Sequence, residues 1–179
     1  MKYYLRLGFV LLIITVVASG ILAYLNSITE PIIDENNRIA KNEARLHVLP
    51  EAVSFDSIFV YNEENVYKGK NDEGEVVGYT FVASQYGYSS DVKTMVGVKP
   101  DFLINKISII DQKETPGLGA NCEKPEFLQR FDNLSEQGLL ADKDGGKLVS
   151  ITGATITTRA IAYSIKDGLE ELKRELDAD

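Results

Sequence analysis

The stretch Val76-Val77-Gly78-Tyr79-Thr80-Phe81-Val82 predicts a β-strand, because β-branched and aromatic residues fill most of its positions. The turn-forming residues Asn71–Glu75 lie directly before it. Similar short segments occur on both sides, at a spacing that favours an antiparallel meander over β-α-β units. The other predicted strands of this region are Ile58–Tyr61, Thr94–Val98 and Ile107–Ile110.

Helical patterns follow this β-rich region. Lys124–Phe131 reads as a short helix opened by Pro125, and Lys147–Ile151 reads as one more strand. A closing helix is predicted from about Thr155 to Leu176, since apolar residues recur there at spacings of three and four. The fold class is therefore α+β, a curved antiparallel sheet with flanking helices. The predicted buried stripe of the closing helix is Ile161, Ile165, Leu169, Leu172 and Leu176.

The N-terminus predicts a membrane anchor. Leu7–Leu25 contains 19 residues without a charge, and at about 1.5 Å per residue this run can cross a hydrocarbon core of roughly 30 Å. Lys2 and Arg6 precede it, so the positive-inside rule puts the N-terminus in the cytoplasm and the rest of the chain on the extracytoplasmic side. A cleavable signal peptide ending near Ala18–Gly20 is the alternative interpretation.

The predicted division of the chain has three parts. Residues 1–25 form the anchor of a single-pass protein of the inner (plasma) membrane, with the span at 7–25. Residues 26–50 form a connecting helix that begins near Thr29–Pro31, where a proline can occupy a first turn. Residues 51–179 form the extracytoplasmic domain.

The composition of the 179-residue chain excludes several kinds of partner and of reactive site. With 27 acidic and 19 basic residues, its net charge of −8 argues against a nucleic-acid partner. The single cysteine, Cys122, and the single histidine, His47, exclude a disulfide framework, an iron–sulfur cluster and a zinc site rich in these residues. Asp142–Gly146 begins like a calcium loop but lacks the glycine and glutamate that such a loop requires. A bound organic cofactor is the remaining source of reactivity.

Two segments combine glycines with polar side chains at the ends of predicted elements. Thr152-Gly153-Ala154-Thr155-Ile156-Thr157-Thr158 puts Thr155 at the start of the closing helix, where free amides favour a phosphate. The alternative interpretation is a simple helix cap, and physics alone favours the cap. Glu114-Thr115-Pro116-Gly117-Leu118-Gly119 follows a strand and by itself indicates a tight turn.

Together, these two motifs and the loop Gly87–Ser90 resemble the FMN-binding domain of ion-pumping redox complexes. Members of that family include the G subunit of the Rnf complex and the C subunit of the sodium-pumping NADH:quinone oxidoreductase. The resemblance covers the whole chain. The region after the membrane span is short, and this favours the Rnf-type protein over the C subunit of the quinone oxidoreductase. Members often carry a histidine two residues before the glutamate of the second motif, where this chain has Gln112.

The resemblance implies a covalent flavoprotein, with FMN joined by a phosphoester to Thr155. It also implies an electron-transfer subunit of a membrane-bound, ion-translocating ferredoxin:NAD oxidoreductase, with other subunits as partners and a flavin transferase for maturation. The alternatives are a C-type subunit of a sodium-pumping NADH:quinone oxidoreductase, a free-standing flavoprotein and a non-redox, membrane-anchored binding domain. The expected FMN-binding residues are Thr152, Gly153, Ala154, Thr155, Thr157, Thr158, Glu114, Thr115, Pro116, Gly117, Leu118 and Gly119.

Overall fold

The computed structural model describes residues 2–177, which fall into two compact units with the boundary between Ala40 and Lys41. The domain boundaries expected after residues 25 and 50 stay a prediction. The first unit is part of one helix, and the second contains the sheet and all remaining helices.

Helix α1 runs without interruption over Lys2–Val48. The expected helix start near Thr29–Pro31 is therefore wrong, because Pro31 lies inside the helix. A proline removes a single amide donor, and a long helix can continue through it when the neighbouring turns keep their own hydrogen bonds. Among the described residues, Tyr3–Val48 is the helix long and apolar enough to cross a membrane.

A five-stranded antiparallel sheet forms the centre of the second unit. Its strands lie in sequence order, which confirms the predicted meander. Sequence reasoning missed one strand, Glu64–Lys70, because most of its residues are polar or charged. The strands are β1 (Ser54–Tyr61), β2 (Glu64–Lys70), β3 (Val76–Tyr86), β4 (Asp91–Val98) and β5 (Ile104–Asp111).

The main hydrophobic core lies between one face of the sheet and the closing helix, Thr155–Asp177, which we label α3. The predicted stripe of α3 is confirmed, since four of its residues are fully buried and Leu176 packs at the edge of the core. Gly168 allows the helix to lie directly against the ring of Phe81 in β3. The other face of the sheet is covered in part by the last turns of α1, where Val48 contacts Val82 and Met95.

Short helices connect β5 to α3. Helix α2 (Pro125–Leu128) continues into a 3-10 turn, Gln129–Phe131, as predicted for this segment. Further 3-10 turns occur at Gly119–Glu123, Glu136–Gly138 and Asp142–Asp144. The strand expected at Lys147–Ile151 is wrong, because this segment makes one isolated bridge, Leu148 to Ala141. Its backbone is held by the loop residues Leu140 and Asp142 and by side chains instead of by a neighbouring strand.

Candidate functional site

A cavity of 440 Å³ lies at the N-terminal end of α3 and collects the two sequence motifs. Its volume falls within the range of about 300–1,000 Å³ typical of small-molecule sites. Residues from three separate segments form its walls: the β3–β4 loop, the segment after β5 and the start of α3. The lining residues are Tyr88, Glu114, Thr115, Leu118, Gly119, Gly153, Ala154, Thr155, Ile156 and Thr157.

The four threonines of the segment 152–158 have different roles. The Thr157 hydroxyl donates to Oε2 of Glu114 at 2.7 Å. The Thr158 hydroxyl accepts from the amide of Ile151 at 3.0 Å and donates to the carbonyl of Ala154 at 3.1 Å, which fixes the turn before the helix. Thr155 lines the cavity, whereas Thr152 is exposed and lies outside it. The geometry therefore separates Thr155 from two neighbours whose hydroxyls are used inside the protein.

The first turn of α3 also brings backbone donors to the wall of the cavity. The first amide that bonds along the helix is that of Thr158, which reaches the carbonyl of Ala154 at 3.1 Å. The amides of residues 155–157 precede it, and such N-terminal amides have no acceptor within a helix. Together with the positive end of the helix dipole they suit an anionic group.

Glu114 is a buried carboxylate that joins the three walls of the cavity. Only 5 % of its surface is exposed. Its Oε1 accepts from three successive amides of the β3–β4 loop, those of Tyr88 at 3.0 Å, Ser89 at 2.9 Å and Ser90 at 3.2 Å. Its Oε2 accepts from Thr157 on α3. Burial alone would raise the pKa of Glu114, but the hydrogen bonds from Thr157 and these amides lower it below its ordinary value, so the carboxylate is ionised at neutral pH.

Gln112, two residues before Glu114, takes part in this arrangement. Its side-chain oxygen accepts from the amide of Glu114 at 2.7 Å, and its side-chain nitrogen donates to Glu123 at 2.9 Å. Glutamine therefore supplies an acceptor and a donor at once without a titratable group. It orients the backbone from which Glu114 projects.

Two glycines are required by the close contacts around Glu114. A Cβ at Gly119 would lie 2.5 Å from Oε2 of Glu114 and 2.7 Å from the Thr157 hydroxyl. A Cβ at Gly87 would lie 2.7 Å from Oε1 of the same carboxylate. The glycines at these positions thus leave room for the carboxylate, and larger side chains would displace it.

Three exposed apolar side chains surround the mouth of the cavity, one from each wall. Tyr88 is 67 % exposed, Leu118 44 % and Ile156 50 %. Tyr88 and Ile156 are lining residues that the sequence reasoning did not include. Tyr88 belongs to the Gly87–Ser90 loop and Ile156 to the threonine segment 152–158, but nothing in the sequence shows that these two side chains line the cavity. This rim offers apolar contact to a flat aromatic ligand.

Most of the expected binding residues therefore meet in one place. Four residues of the expected set lie outside the cavity lining: Thr152, Thr158, Pro116 and Gly117. The last two belong to an exposed turn, where Gly117 has a φ of +79°. Cys122 is fully buried nearby, and burial raises the pKa of its thiol to about 12. A thiol with that pKa is not a nucleophile at neutral pH.

The residues present fit an FMN group. The helix amides and Thr155 suit the phosphate, and the apolar rim suits the ring. A Cβ at Gly153, whose φ is +78°, would lie 2.9 Å from a methyl group of Leu118. The glycine thus lets Leu118 pack closely beside it, next to Thr155 in the lining of the cavity.

Comparisons with known proteins agree with this site. Residues 87–170 match the family model of the FMN-binding domain. The chain is 32% identical over 190 residues to the G subunit of the Na(+)-translocating ferredoxin:NAD(+) oxidoreductase complex of Acetobacterium woodii, with 94% of this chain and 91% of that protein covered. It is 30% identical to the G subunit of the ion-translocating oxidoreductase complex of Haemophilus influenzae, with 92% and 86% covered.

A solved structure, that of NqrC from Shewanella oneidensis, shares the fold. Its TM-score is 0.50 at 20% sequence identity, and 66% of each chain is covered. The match to the two G subunits extends over nearly their whole length and settles the relationship. The chain belongs to the family of G subunits of ion-translocating oxidoreductase complexes, which contain an FMN-binding domain.

Proposed function

We propose that the chain is the electron-transfer subunit of a membrane-bound, ion-translocating ferredoxin:NAD oxidoreductase, and that it carries FMN on Thr155. The observation that carries this proposal is the position of Thr155 in the cavity, beside free helix amides, while Thr157 and Thr158 use their hydroxyls internally. The proposed reaction is taken from the relatives. The matching proteins of Acetobacterium woodii and Clostridium ljungdahlii are G subunits of ferredoxin:NAD(+) oxidoreductase complexes.

The attachment joins the Thr155 hydroxyl oxygen to the flavin phosphorus in a phosphoester. Condensation with loss of water is unfavourable in water, so the phosphorus must come from an activated donor, a flavin dinucleotide. Its phosphoanhydride bond breaks, a nucleoside monophosphate leaves, and the hydroxyl proton passes to a base. A threonine needs such a base to react, and His47, the single histidine, lies outside the cavity. We therefore infer that a separate flavin transferase supplies it.

The chain's own residues bind and orient the cofactor. The amides of the first turn of α3 would hold the phosphate, and the cavity residues Tyr88, Leu118 and Ile156 would contact the ring. Glu114 fixes the positions of the three walls through its hydrogen bonds. When bound, FMN supplies the one- and two-electron redox chemistry that the side chains lack.

The N-terminal helix gives the domain its location. We propose that residues 1–25 anchor the protein in the inner membrane with the N-terminus in the cytoplasm, and that residues 51–179 form the extracytoplasmic FMN-binding domain. The uncharged run within α1, with Lys2 and Arg6 before it, supports this orientation. A periplasm-dependent reporter enzyme fused after residue 179 should be active, and an inactive reporter in the membrane fraction would contradict the orientation.

The test of attachment compares three full-length proteins produced with a flavin transferase: wild type, Thr155→Ala and Thr155→Ser. After denaturing electrophoresis, we expect flavin fluorescence in the wild-type band and in Thr155→Ser, which keeps a hydroxyl. Thr155→Ala should give a dark band. Fluorescence in Thr155→Ala, or a wild-type protein without flavin, would contradict the proposal.

The reaction is tested on the intact complex, isolated by using this chain as the purification handle. We expect the complex to transfer electrons between ferredoxin and NAD. A complex that reduces quinone with NADH but does not react with ferredoxin would assign the chain to the C-type subunits of sodium-pumping NADH:quinone oxidoreductases.

A further inference from the structure

Asp142 holds the loop that precedes the threonine segment 152–158. Its amide donates to the carbonyl of Leu148 at 2.8 Å. Its Oδ1 accepts from the amide of Ser150 at 3.1 Å and from the hydroxyl of Ser150. The side chain of Asp142 thus holds the backbone five residues before Thr155, in the segment that has no strand partner.

Asp144 fastens the helix on the other side of Thr155. Its carboxylate accepts from Nε of Arg159 at 2.7 Å and also from Nη2, so the two side chains form a bidentate pair. The hydroxyl of Tyr163 donates to the same carboxylate at 2.8 Å. Arg159 and Tyr163 follow Thr155 by one and two turns on the same face of α3.

The two attachments lie close together along the loop. Asp142 and Asp144 belong to the same 3-10 turn, which ends at Gly145 with a φ of +88°. One short turn therefore holds both ends of the segment Ser150–Arg159. Thr155 lies in the middle of that segment.

We propose that Asp142 and Asp144 are positioning residues for the attachment of FMN, because together they keep the Thr155 hydroxyl in one place at the wall of the cavity. The proposal rests on the proposed function of Thr155. In the transfer step, the Thr155 oxygen replaces the nucleoside phosphate on the flavin phosphorus, and the transferase accepts the hydroxyl proton. Neither aspartate exchanges a proton or an electron. A fixed nucleophile matters because a displacement of about 1 Å can slow a reaction by about 100-fold.

A purely electrostatic role for the Asp144–Arg159 pair predicts a different pattern. Asp144→Asn would remove a negative charge and leave Arg159 unpaired beside the site, so an anionic donor would react faster. Arg159→Gln would leave Asp144 unpaired and slow the reaction. If the pair positions Thr155, both substitutions break the same bidentate contact and both slow the reaction. The signs of the two effects therefore distinguish the roles.

The experiment measures the initial rate of flavin attachment to the full-length, flavin-free protein in detergent, with purified flavin transferase and a flavin dinucleotide donor. We expect Asp144→Asn and Arg159→Gln to lower kcat about tenfold while the KM for the donor stays within twofold. The control is Lys147→Gln, which removes a charge from an exposed side chain of the same loop. This control should match wild type.

Milder variants keep the test decisive if a charge substitution impairs folding. Ser150→Ala removes one donor to Asp142, and Tyr163→Phe removes one donor to Asp144. Both should slow attachment at a melting temperature close to that of wild type. Wild-type rates in these folded variants, or a faster Asp144→Asn with a slower Arg159→Gln, would overturn the positioning role. A wild-type protein that never acquires flavin would instead overturn the proposed function.

Discussion

The two sides of the cavity differ in how their polar groups are used. On the Glu114 side, both carboxylate oxygens are used inside the protein, by three loop amides and by Thr157. On the Thr155 side, Thr155 and Ile156 from the first turn of α3 line open space. The polar groups on the Glu114 side are thus satisfied by each other, whereas we propose that those on the Thr155 side are left for a ligand. Substitutions on the Glu114 side should therefore affect stability first.

The largest effect is expected for Glu114→Ala. The change leaves three loop amides and one hydroxyl without their buried acceptor, so we expect the free energy of unfolding to fall by about 2–4 kcal/mol. The chain has no tryptophan, and tyrosine circular dichroism during urea unfolding of the full-length protein would report the change. Glu126→Ala, at an exposed carboxylate on α2, is the control and should change stability little. Equal stability of the two variants would show that Glu114 does not hold the walls together.

A smaller loss is expected for Gly119→Ala. The added methyl group would lie 2.5 Å from Oε2 of Glu114, and such overpacking costs about 1–3 kcal/mol. Gly117→Ala provides the contrast, since its φ of +79° causes backbone strain but its surroundings are open. Urea unfolding curves should be measured for Gly119→Ala, for Gly117→Ala and for a double variant that combines Gly119→Ala with Glu114→Gln. If the methyl group acts through the carboxylate, the effects of the two substitutions in the double variant will not add.

Acid should weaken the Glu114 side specifically. Because hydrogen bonds lower the pKa of Glu114 in the folded protein, its contribution to stability is complete above its ordinary pKa of 4.5 and is lost as the pH falls through the lowered value. Other paired aspartates also respond to acid, so the relevant quantity is the difference between wild type and Glu114→Gln. We expect this difference in melting temperature to shrink below pH 4.5. A constant difference down to about pH 2, below the unfolded pKa of any carboxylate side chain, would contradict an ionised Glu114.

The smallest expected effect is on the flavin itself. If FMN occupies the cavity, the negative charge of Glu114 disfavours an anionic reduced flavin and lowers the midpoint potential. Glu114→Gln should therefore raise the potential, measured by spectroscopic redox titration of the fully flavinylated protein. Thr157→Val is the matched control, because it removes a hydrogen bond to Glu114 but keeps the charge. Similar potentials in both variants would mean that the carboxylate does not tune the cofactor.

The sequence predicted the fold where local pattern and tertiary structure agree. The β-branched strands and the stripe of α3 were predicted because each buries one face. Strand β2 was missed because its residues are mostly polar and its strand form depends on pairing with β1 and β3. Lys147–Ile151 was wrongly predicted as a strand because its apolar residues look like one, whereas Asp142 holds it as an irregular segment.

The candidate site, like the fold, could be predicted only in part. The two motifs could be found from glycine and threonine spacing, and they do meet at one cavity. The hydrogen bonds of Glu114 could not be predicted, because the amides that it accepts from lie 24 to 26 residues earlier in the chain. The roles of Thr155, Thr157 and Thr158 also depend on which way each side chain faces, which four neighbouring threonines in one sequence segment do not reveal.

The most direct test of the difference between the two sides is to locate the flavin by mass spectrometry. Trypsin should release residues 148–159, a peptide that contains all four threonines of the motif and ends at Arg159. We expect one FMN phosphoester in this peptide, with fragmentation placing it on Thr155. Flavin on Thr152, Thr157 or Thr158, or an unmodified peptide from protein that copurifies with flavin, would contradict the assignment of Thr155 as the reactive residue of the cavity.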